Sequence, residues 1–229
     1  MRHELIPFLQ TPPTFAEKVQ EQDILQRLDS ARSQFDSRKY EIPFESLQKL
    51  QVARCLASGT LKSRNGLEGW DKAHQVVHTW IVEEKTLSRH SDLFYLYTIM
   101  TGCYTASYRT VSVYTSNNKH PEPEHLFSLM DAFFKMINSP LKEHPIQRAA
   151  RARQWIASIH PFEDGNGRVS QILADYFLIK EGYLPQSYDH PRTAMVVGLP
   201  NKIDYVTPHF AFVNVAESVL HSYRLMGVV

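Results

Sequence analysis

Residues 160–168, His-Pro-Phe-Glu-Asp-Gly-Asn-Gly-Arg, are the stretch from which the fold of this chain is best predicted. They lie between two segments, 145–159 and 168–182, in which apolar residues recur every three or four positions. This spacing is typical of helices that bury one face. The stretch therefore predicts a tight loop between two core helices.

Helical periodicity also dominates outside this pair. It predicts further helices over about 14–30, 43–57, 70–87, 92–107, 123–138 and 209–226. The exception is 109–115, Arg-Thr-Val-Ser-Val-Tyr-Thr, where alternating β-branched residues before a turn-rich segment favour a short β-hairpin flap. The expected fold class is all-α, a helical bundle with that flap. We expect an N-terminal helical extension (1–90) and a core (91–229) that carries the flap and the loop.

The glycines of the loop have two explanations. Gly165 and Gly167 supply positive φ angles and Asn166 tolerates them, so a plain connecting turn would account for all three. The functional explanation is that this run leads into a helix N-terminus, where backbone N–H groups and the helix dipole bind anions. Arg168 adds a planar cation suited to phosphate oxygens. A cation is unfavourable at a helix N-terminus unless a bound anion offsets it.

The acid and the histidine of the loop favour the functional explanation. Asp164 would repel a phosphate bound beside it unless Mg²⁺ bridged the two. His160 can titrate near neutral pH and is placed to take a proton from an attacking hydroxyl group. A base, a metal ligand, an anion cradle and a cationic clamp are the parts that phosphoryl transfer requires. The loop thus predicts transfer of a phosphate-containing group.

The stretch resembles the signature of the Fic family, His-x-Phe-x-[Asp/Glu]-Gly-Asn-Gly-Arg-x-x-Arg. The resemblance extends over residues 92–215 and is closest at 145–184. It implies a Fic-like helical fold and an enzyme, a protein adenylyltransferase. Such an enzyme moves AMP from ATP to a Ser, Thr or Tyr hydroxyl of a target protein.

The resemblance also implies a role for each position. His160 would be the catalytic base, Asp164 would hold Mg²⁺ against the phosphates, and Phe162 would anchor the loop in the core. The phosphates of the nucleotide would be bound by Gly165, Asn166, Gly167, Arg168 and Gln171. The target would dock on the flap by strand addition, through Thr110, Val111, Ser112 and Val113.

Two positions depart from the family pattern. Gln171 replaces the second motif arginine, and loss of that charged contact would weaken ATP binding by about 1.5–3 kcal/mol if nothing replaces it. Transfer of phosphocholine or another nucleotide, or a catalytically silent nucleotide-binding module, is therefore kept as an alternative. The inhibitory pattern of the family ends in Glu-Gly, as Glu68-Gly69 does, but Arg64 stands where Ser or Thr belongs. We interpret Glu68 as a surface or capping residue and expect inhibition by a separate antitoxin, or none.

Composition excludes some classes of partner. The formal net charge of the 229 residues is +1, so no global charge steers the chain to nucleic acid. No segment approaches the roughly 20 apolar residues of a membrane span. The N-terminus has no apolar run of signal-peptide length, which predicts a cytoplasmic protein unless a non-cleaved signal directs secretion as an effector.

Overall fold

The computed structural model describes residues 9–41, 45–47, 49–50, 53, 66–115, 118–140, 142–187 and 207–229. Its helices are α1 (Phe15–Arg38), α2 (Gly66–Val82), α3 (His90–Thr101), α4 (Leu126–Ile137), α5 (Pro145–Ile159), α6 (Asn166–Lys180) and α7 (Pro208–Leu225). Two short strands, β1 (Tyr114–Thr115) and β2 (Asn118–Lys119), pair antiparallel. The all-α fold class is confirmed. Within the described ranges, no helix has both the length and the apolar character to cross a bilayer.

Helices α5 and α6 form the centre of the bundle. Every residue of α6 from 169 to 178 is buried. Helix α5 buries polar as well as apolar residues around its circumference, including Arg153 and Gln154. The single buried face predicted for each helix was too narrow, because α4 and α7 pack against α5 while α2 packs against α6.

The N-terminal helices share this core. Helix α1 packs against α7, and α2 packs against both α3 and α6. At Gly69 a Cβ atom would lie 2.2 Å from the carbonyl oxygen of Met100, so a glycine is needed where α2 meets α3. The division into domains at residue 90 stays a prediction. The helix predicted over 43–57 lies largely outside the described residues.

Helix ends follow local capping chemistry. Thr14 caps α1 as predicted: its hydroxyl accepts the Glu17 N–H at 3.3 Å, and the Glu17 carboxylate accepts the Thr14 N–H at 2.7 Å. Helix α1 continues to Arg38, beyond the predicted end near residue 30. Helix α3 ends at Thr101 rather than near 107, because Gly102 adopts the left-handed conformation (φ 72°) that terminates helices.

A buried polar network joins α2, α5 and α6. Asp175 of α6 is fully buried, lies 3.2 Å from His74 Nε2 of α2 and accepts the backbone N–H of Gln186 at 2.9 Å. The Gln186 side chain also bonds Asp175 and the buried guanidinium of Arg153 on α5. Burial lowers the pKa of Arg153, and the charge of Asp175 opposes that shift. The carboxylate therefore stabilises a cation inside the core.

Removal of this carboxylate should destabilise the fold. We expect Asp175→Ala to lower the free energy of unfolding by about 3–5 kcal/mol, since the Arg153 charge then stays buried without its counter-charge. Asp131→Ala is the matched control. Its carboxylate lies 2.9 Å from His90 but is 73% exposed, so the loss should stay below about 1 kcal/mol. Urea unfolding followed by circular dichroism measures both, and equal losses would contradict the role of the network.

Candidate active site

The loop begins with a residue in an uncommon conformation. His160 follows the last turn of α5 and has φ 53° and ψ 59°, the left-handed region that residues other than glycine rarely occupy. Its N–H donates to the Ile156 carbonyl at 2.9 Å and so completes the helix. This conformation ends α5 and starts the turn into the loop.

Arg109 braces this turn. Its Nε donates to the His160 carbonyl at 2.8 Å, and its backbone N–H donates to the Pro161 carbonyl at 2.9 Å. The other guanidinium nitrogens donate to the carbonyls of Val111 and Pro121. Arg109 is 3% exposed, and burial lowers the pKa of its guanidinium. The sequence indicated Arg109 only as the start of the flap, because no local pattern shows which distant carbonyls a side chain will reach.

Phe162 and Asn166 fix the middle of the loop. Phe162 is 1% exposed, and its ring stacks on Tyr97 with centroids 4.0 Å apart and planes 12° apart. The Asn166 carboxamide spans the turn. Its Oδ1 accepts the Phe162 N–H at 2.9 Å, and its Nδ2 donates to the Phe162 carbonyl at 2.8 Å. Both polar atoms of the Asn166 side chain are thus bonded within the loop, so a ligand at this position would be bound by the backbone N–H of Asn166.

The N-terminus of α6 provides hydrogen-bond donors for an anion. Gly165 is the N-cap residue, with φ 78°, and has no side chain that could cap the first turn. The N–H groups of Asn166, Gly167 and Arg168 have no partner within the helix, as in any first helical turn. A Cβ atom at Gly167 would meet nothing within 4 Å, so the space beside it is open. This arrangement suits a phosphate.

Arg168 and Asp164 face each other at this end of α6. The Arg168 Nη2 lies 3.4 Å from Asp164 Oδ2. The Asp164 side chain is 92% exposed and the Arg168 side chain only 12%, so the carboxylate is open to solvent while the guanidinium lies against the loop. Among the described residues, no three His, Cys, Asp or Glu side chains are grouped to hold a metal ion. A metal at Asp164 would therefore use phosphate and water oxygens as further ligands, which is the usual preference of Mg²⁺.

The His160 imidazole is held in its neutral form. Burial lowers its pKa to about 4, and the neighbouring His120 and Arg109 act in the same direction. The His120 ring stacks on it with centroids 4.2 Å apart and planes 24° apart. A hydrogen bond with the Ala157 backbone and the charge of Asp164 raise the pKa but do not offset burial. At neutral pH the ring therefore has a nitrogen lone pair that can accept a proton.

Gln171 and Glu68 differ in burial. Gln171 is 2% exposed, and its amide nitrogen has no hydrogen-bond partner in the described part of the chain. Glu68 has an exposed side chain, which pairs with Lys72 at 2.6 Å. Glu68 is therefore a surface residue in this structure. Arg64 lies outside the described residues.

The flap residues expected to bind a target precede the paired strands. Thr110, Val111 and Ser112 are exposed, and Val113 is half-buried. Strand pairing begins only at Tyr114, and each strand has two residues. The extended backbone pairing is thus shorter than predicted and lies further along the chain.

Part of this chain is similar in sequence to known proteins. Residues 81–178 match the model of the Fic/DOC family. The protein adenylyltransferase Fic of Nematostella vectensis is 29% identical over 132 residues, which cover 55% of this chain and 31% of that protein. The protein of the same name from Aedes aegypti is 28% identical over 142 residues, which cover 59% of this chain and 28% of that protein. The chain thus spans less than a third of the length of these curated relatives.

Solved structures share the fold. Fic-1 from C. elegans aligns with a TM-score of 0.70 at 19% identity, over 92% of this chain and 73% of that chain. IbpAFic2 covalently tethered to Cdc42 aligns with a TM-score of 0.65 at 16% identity, over 93% of this chain and 72% of that chain. The chain has the architecture of a helical bundle that presents a histidine and an uncapped helix N-terminus on one loop. The segment 81–178, which includes this loop, is the part of the chain that is similar to the Fic/DOC family.

The burial of His160 can be measured by its titration. NMR of the histidine side chains should give His160 a midpoint of about 4, below the ordinary value of 6.5. Because the folded pKa is the lower one, the unfolded chain takes up the proton first as the pH falls. The contribution of His160 to stability is therefore complete above pH 6.5 and is lost as the pH falls from 6.5 towards 4. A midpoint near 6.5 would show a solvated ring instead.

Proposed function

We propose that this chain is a protein adenylyltransferase that transfers AMP from ATP to a Ser, Thr or Tyr hydroxyl of a target protein. The observation that carries the proposal is that one loop joins a neutral His160 imidazole to the uncapped N-terminus of α6 and to Arg168. The relatives of this domain are named protein adenylyltransferases, and one solved neighbour is tethered to the protein Cdc42. Both findings support a protein as the acceptor.

The triphosphate binds at the start of α6. Backbone N–H groups from Gly165 to Arg168, together with the helix dipole, neutralise part of its charge. The Arg168 guanidinium exchanges its 3.4 Å contact with Asp164 for phosphate oxygens. Asp164 would hold Mg²⁺, which would supply further neutralisation of the phosphate charge. These donors sit on a helix and a braced loop, so little reorganisation is needed on binding.

The reaction is an in-line substitution at the α-phosphorus. The target hydroxyl oxygen bonds to that phosphorus, the bond from the phosphorus to the α–β bridging oxygen breaks, and pyrophosphate leaves. His160 takes the hydroxyl proton. A pKa of about 4 makes the free imidazole a weak base. Bound phosphates place negative charge beside it and raise that pKa, so nucleotide binding prepares the base.

The target docks along the flap. Val111 and Tyr114 are 53% and 61% exposed, and the residues between them also reach the surface. An extended target segment adds to this backbone by hydrogen bonds that do not depend on its side chains. Arg109 bonds both the His160 and the Val111 carbonyl, so the docking segment and the base share one support. The docked hydroxyl is thereby brought to His160.

Gln171 is the observation that favours a second donor. A carboxamide carries no charge and cannot form the forked contact of an arginine with a phosphate. Its buried amide nitrogen lacks a partner among the described residues, so it remains a candidate neutral donor to the nucleotide. CDP-choline or another nucleotide is therefore the alternative donor. A catalytically silent module is the less favoured alternative, because binding alone does not require a neutral histidine beside the phosphates.

Mass spectrometry identifies the donor. The protein is incubated with Mg²⁺, a lysate and ATP, CTP, GTP, UTP or CDP-choline in turn. We expect wild type to add AMP to protein with ATP, and His160→Ala to add nothing because the proton acceptor is gone. His125→Ala changes a histidine outside the loop and should behave as wild type. Phosphocholine on the product would identify CDP-choline rather than ATP as the donor. Equal labelling by wild type and His160→Ala would show that His160 is not the base.

Asp164→Ala should abolish the metal dependence of nucleotide binding, because it removes the carboxylate that faces Arg168 beside the phosphates. Calorimetric titration with a non-hydrolysable ATP analogue at several Mg²⁺ concentrations measures this dependence. Glu163→Ala is the matched control, since Glu163 is an exposed carboxylate one position away. Wild type and Glu163→Ala should bind more tightly as Mg²⁺ rises. Identical Mg²⁺ dependence in all three proteins would rule out Asp164 as the ligand.

A further inference from the structure

His120 has a defined place in the site but no part in the proposed reaction. It directly follows β2, is 5% exposed, and its ring centroid lies 4.2 Å from that of His160. The sequence indicated only a turn-rich segment here. A buried histidine stacked on a candidate base requires a physical explanation.

The contacts that hold His120 include two hydrogen bonds. Its backbone N–H donates to the Val113 carbonyl at 3.2 Å. Its Nδ1 lies 3.0 Å from the Ser158 carbonyl, and Nδ1 carries the proton because a carbonyl can only accept. Ser158 belongs to the last turn of α5, just before His160. The His120 ring is therefore anchored both to the flap and to the helix that carries the base.

The His160 ring depends on its surroundings for a fixed orientation. Its backbone lies at the junction of helix and loop, in the left-handed region. A hydrogen bond with the Ala157 backbone holds one edge of the ring. The His120 ring, inclined by 24°, covers one face and blocks rotation towards that side. Orientation matters here, because a misplacement of about 1 Å in an active site can cost on the order of 100-fold in rate.

We propose that His120 is a positioning residue that holds the His160 imidazole by ring stacking and couples target docking on the flap to the orientation of the base. The coupling rests on the proposed function, which makes His160 the base and the flap the docking segment. A target strand that pairs with β1 or β2 restrains His120, which directly follows β2. The restrained ring then holds His160 in its reactive orientation.

Three substitutions separate stacking from hydrogen bonding. His120→Phe keeps an aromatic ring over His160 but loses the donor to Ser158. His120→Asn keeps a donor of similar reach but loses the ring, and His120→Ala loses both. His125→Asn is the control, because His125 lies on the same connection but pairs with Glu124 at the surface. Thermal unfolding establishes that each variant is folded before it is compared.

Two readouts are used. The first is the NMR shift of the His160 ring proton in the nucleotide-free protein, which the ring current of a stacked neighbour displaces. We expect His120→Phe and His125→Asn to keep this displacement, and His120→Asn and His120→Ala to lose it. The second is transfer to a target with the donor identified by mass spectrometry. In this assay, kcat should fall on the order of 100-fold in His120→Asn and His120→Ala, whereas KM for the nucleotide should not change. His120→Phe should retain most of the wild-type kcat.

Several results would overturn the proposal. An unchanged His160 ring-proton shift in His120→Asn would show that the rings are not stacked in solution. Loss of kcat in His120→Phe together with retention of kcat in His120→Asn would assign the effect to the bond with Ser158 rather than to stacking. A raised KM with unchanged kcat would make His120 part of nucleotide binding. Because the NMR readout needs neither nucleotide nor target, stacking can be tested even if the chain transfers nothing.

Discussion

One buried guanidinium holds the candidate site together. The Arg109 side chain donates to the carbonyl of Val111, two residues along the chain, and to those of Pro121 and His160, which lie 12 and 51 residues away. A buried cation is costly unless its donors are satisfied, and the five N–H groups of an arginine have fixed directions. The loop and both ends of the flap must therefore meet around this one group. The left-handed conformation of His160, which costs of order 1–3 kcal/mol, persists because these contacts over-determine it.

The proposed catalytic histidine and the proposed docking segment have common supports in this arrangement. Arg109 joins the first residues of the flap to the start of the loop, and His120 joins the end of β2 to the imidazole of His160. The flap therefore contacts the surroundings of the His160 imidazole through two side chains. In the proposed function, such coupling would align the base only when an acceptor is present and so limit wasteful transfer to water.

Helix α6 has two roles along its length. Its first turn offers backbone donors and Arg168 to an anion, whereas its middle lies in the core and carries Asp175, which stabilises Arg153. The network around Asp175 holds α6 in place. The N–H groups at its N-terminus therefore need no further ordering before they can bind an anion. Gln171 lies between these two parts, one turn after Arg168, and is buried. In the proposed function, the choice of donor is therefore connected to the core as well as to the loop.

The sequence by itself determined the helical class, the position of the loop and the resemblance to the Fic family. Apolar periodicity, a capping residue such as Thr14 and the glycines of the loop act over a few residues, so their structural consequences can be inferred locally. The end of α3 at Gly102 was missed although its signal is local, because apolar spacing continues past that glycine. The buried face predicted for α5 and for α6 was too narrow, because the apolar spacing within one helix does not show how many other helices pack against it.

Only the tertiary structure decided which distant groups meet. The bonds of Arg109 to the loop, the stack of His120 on His160 and the contact of His74 with Asp175 each join segments from different parts of the chain. They depend on how the helices pack and on where the flap returns to the end of α5. Periodicity and turn chemistry carry no information about such distances, so these contacts appear only once the bundle is assembled.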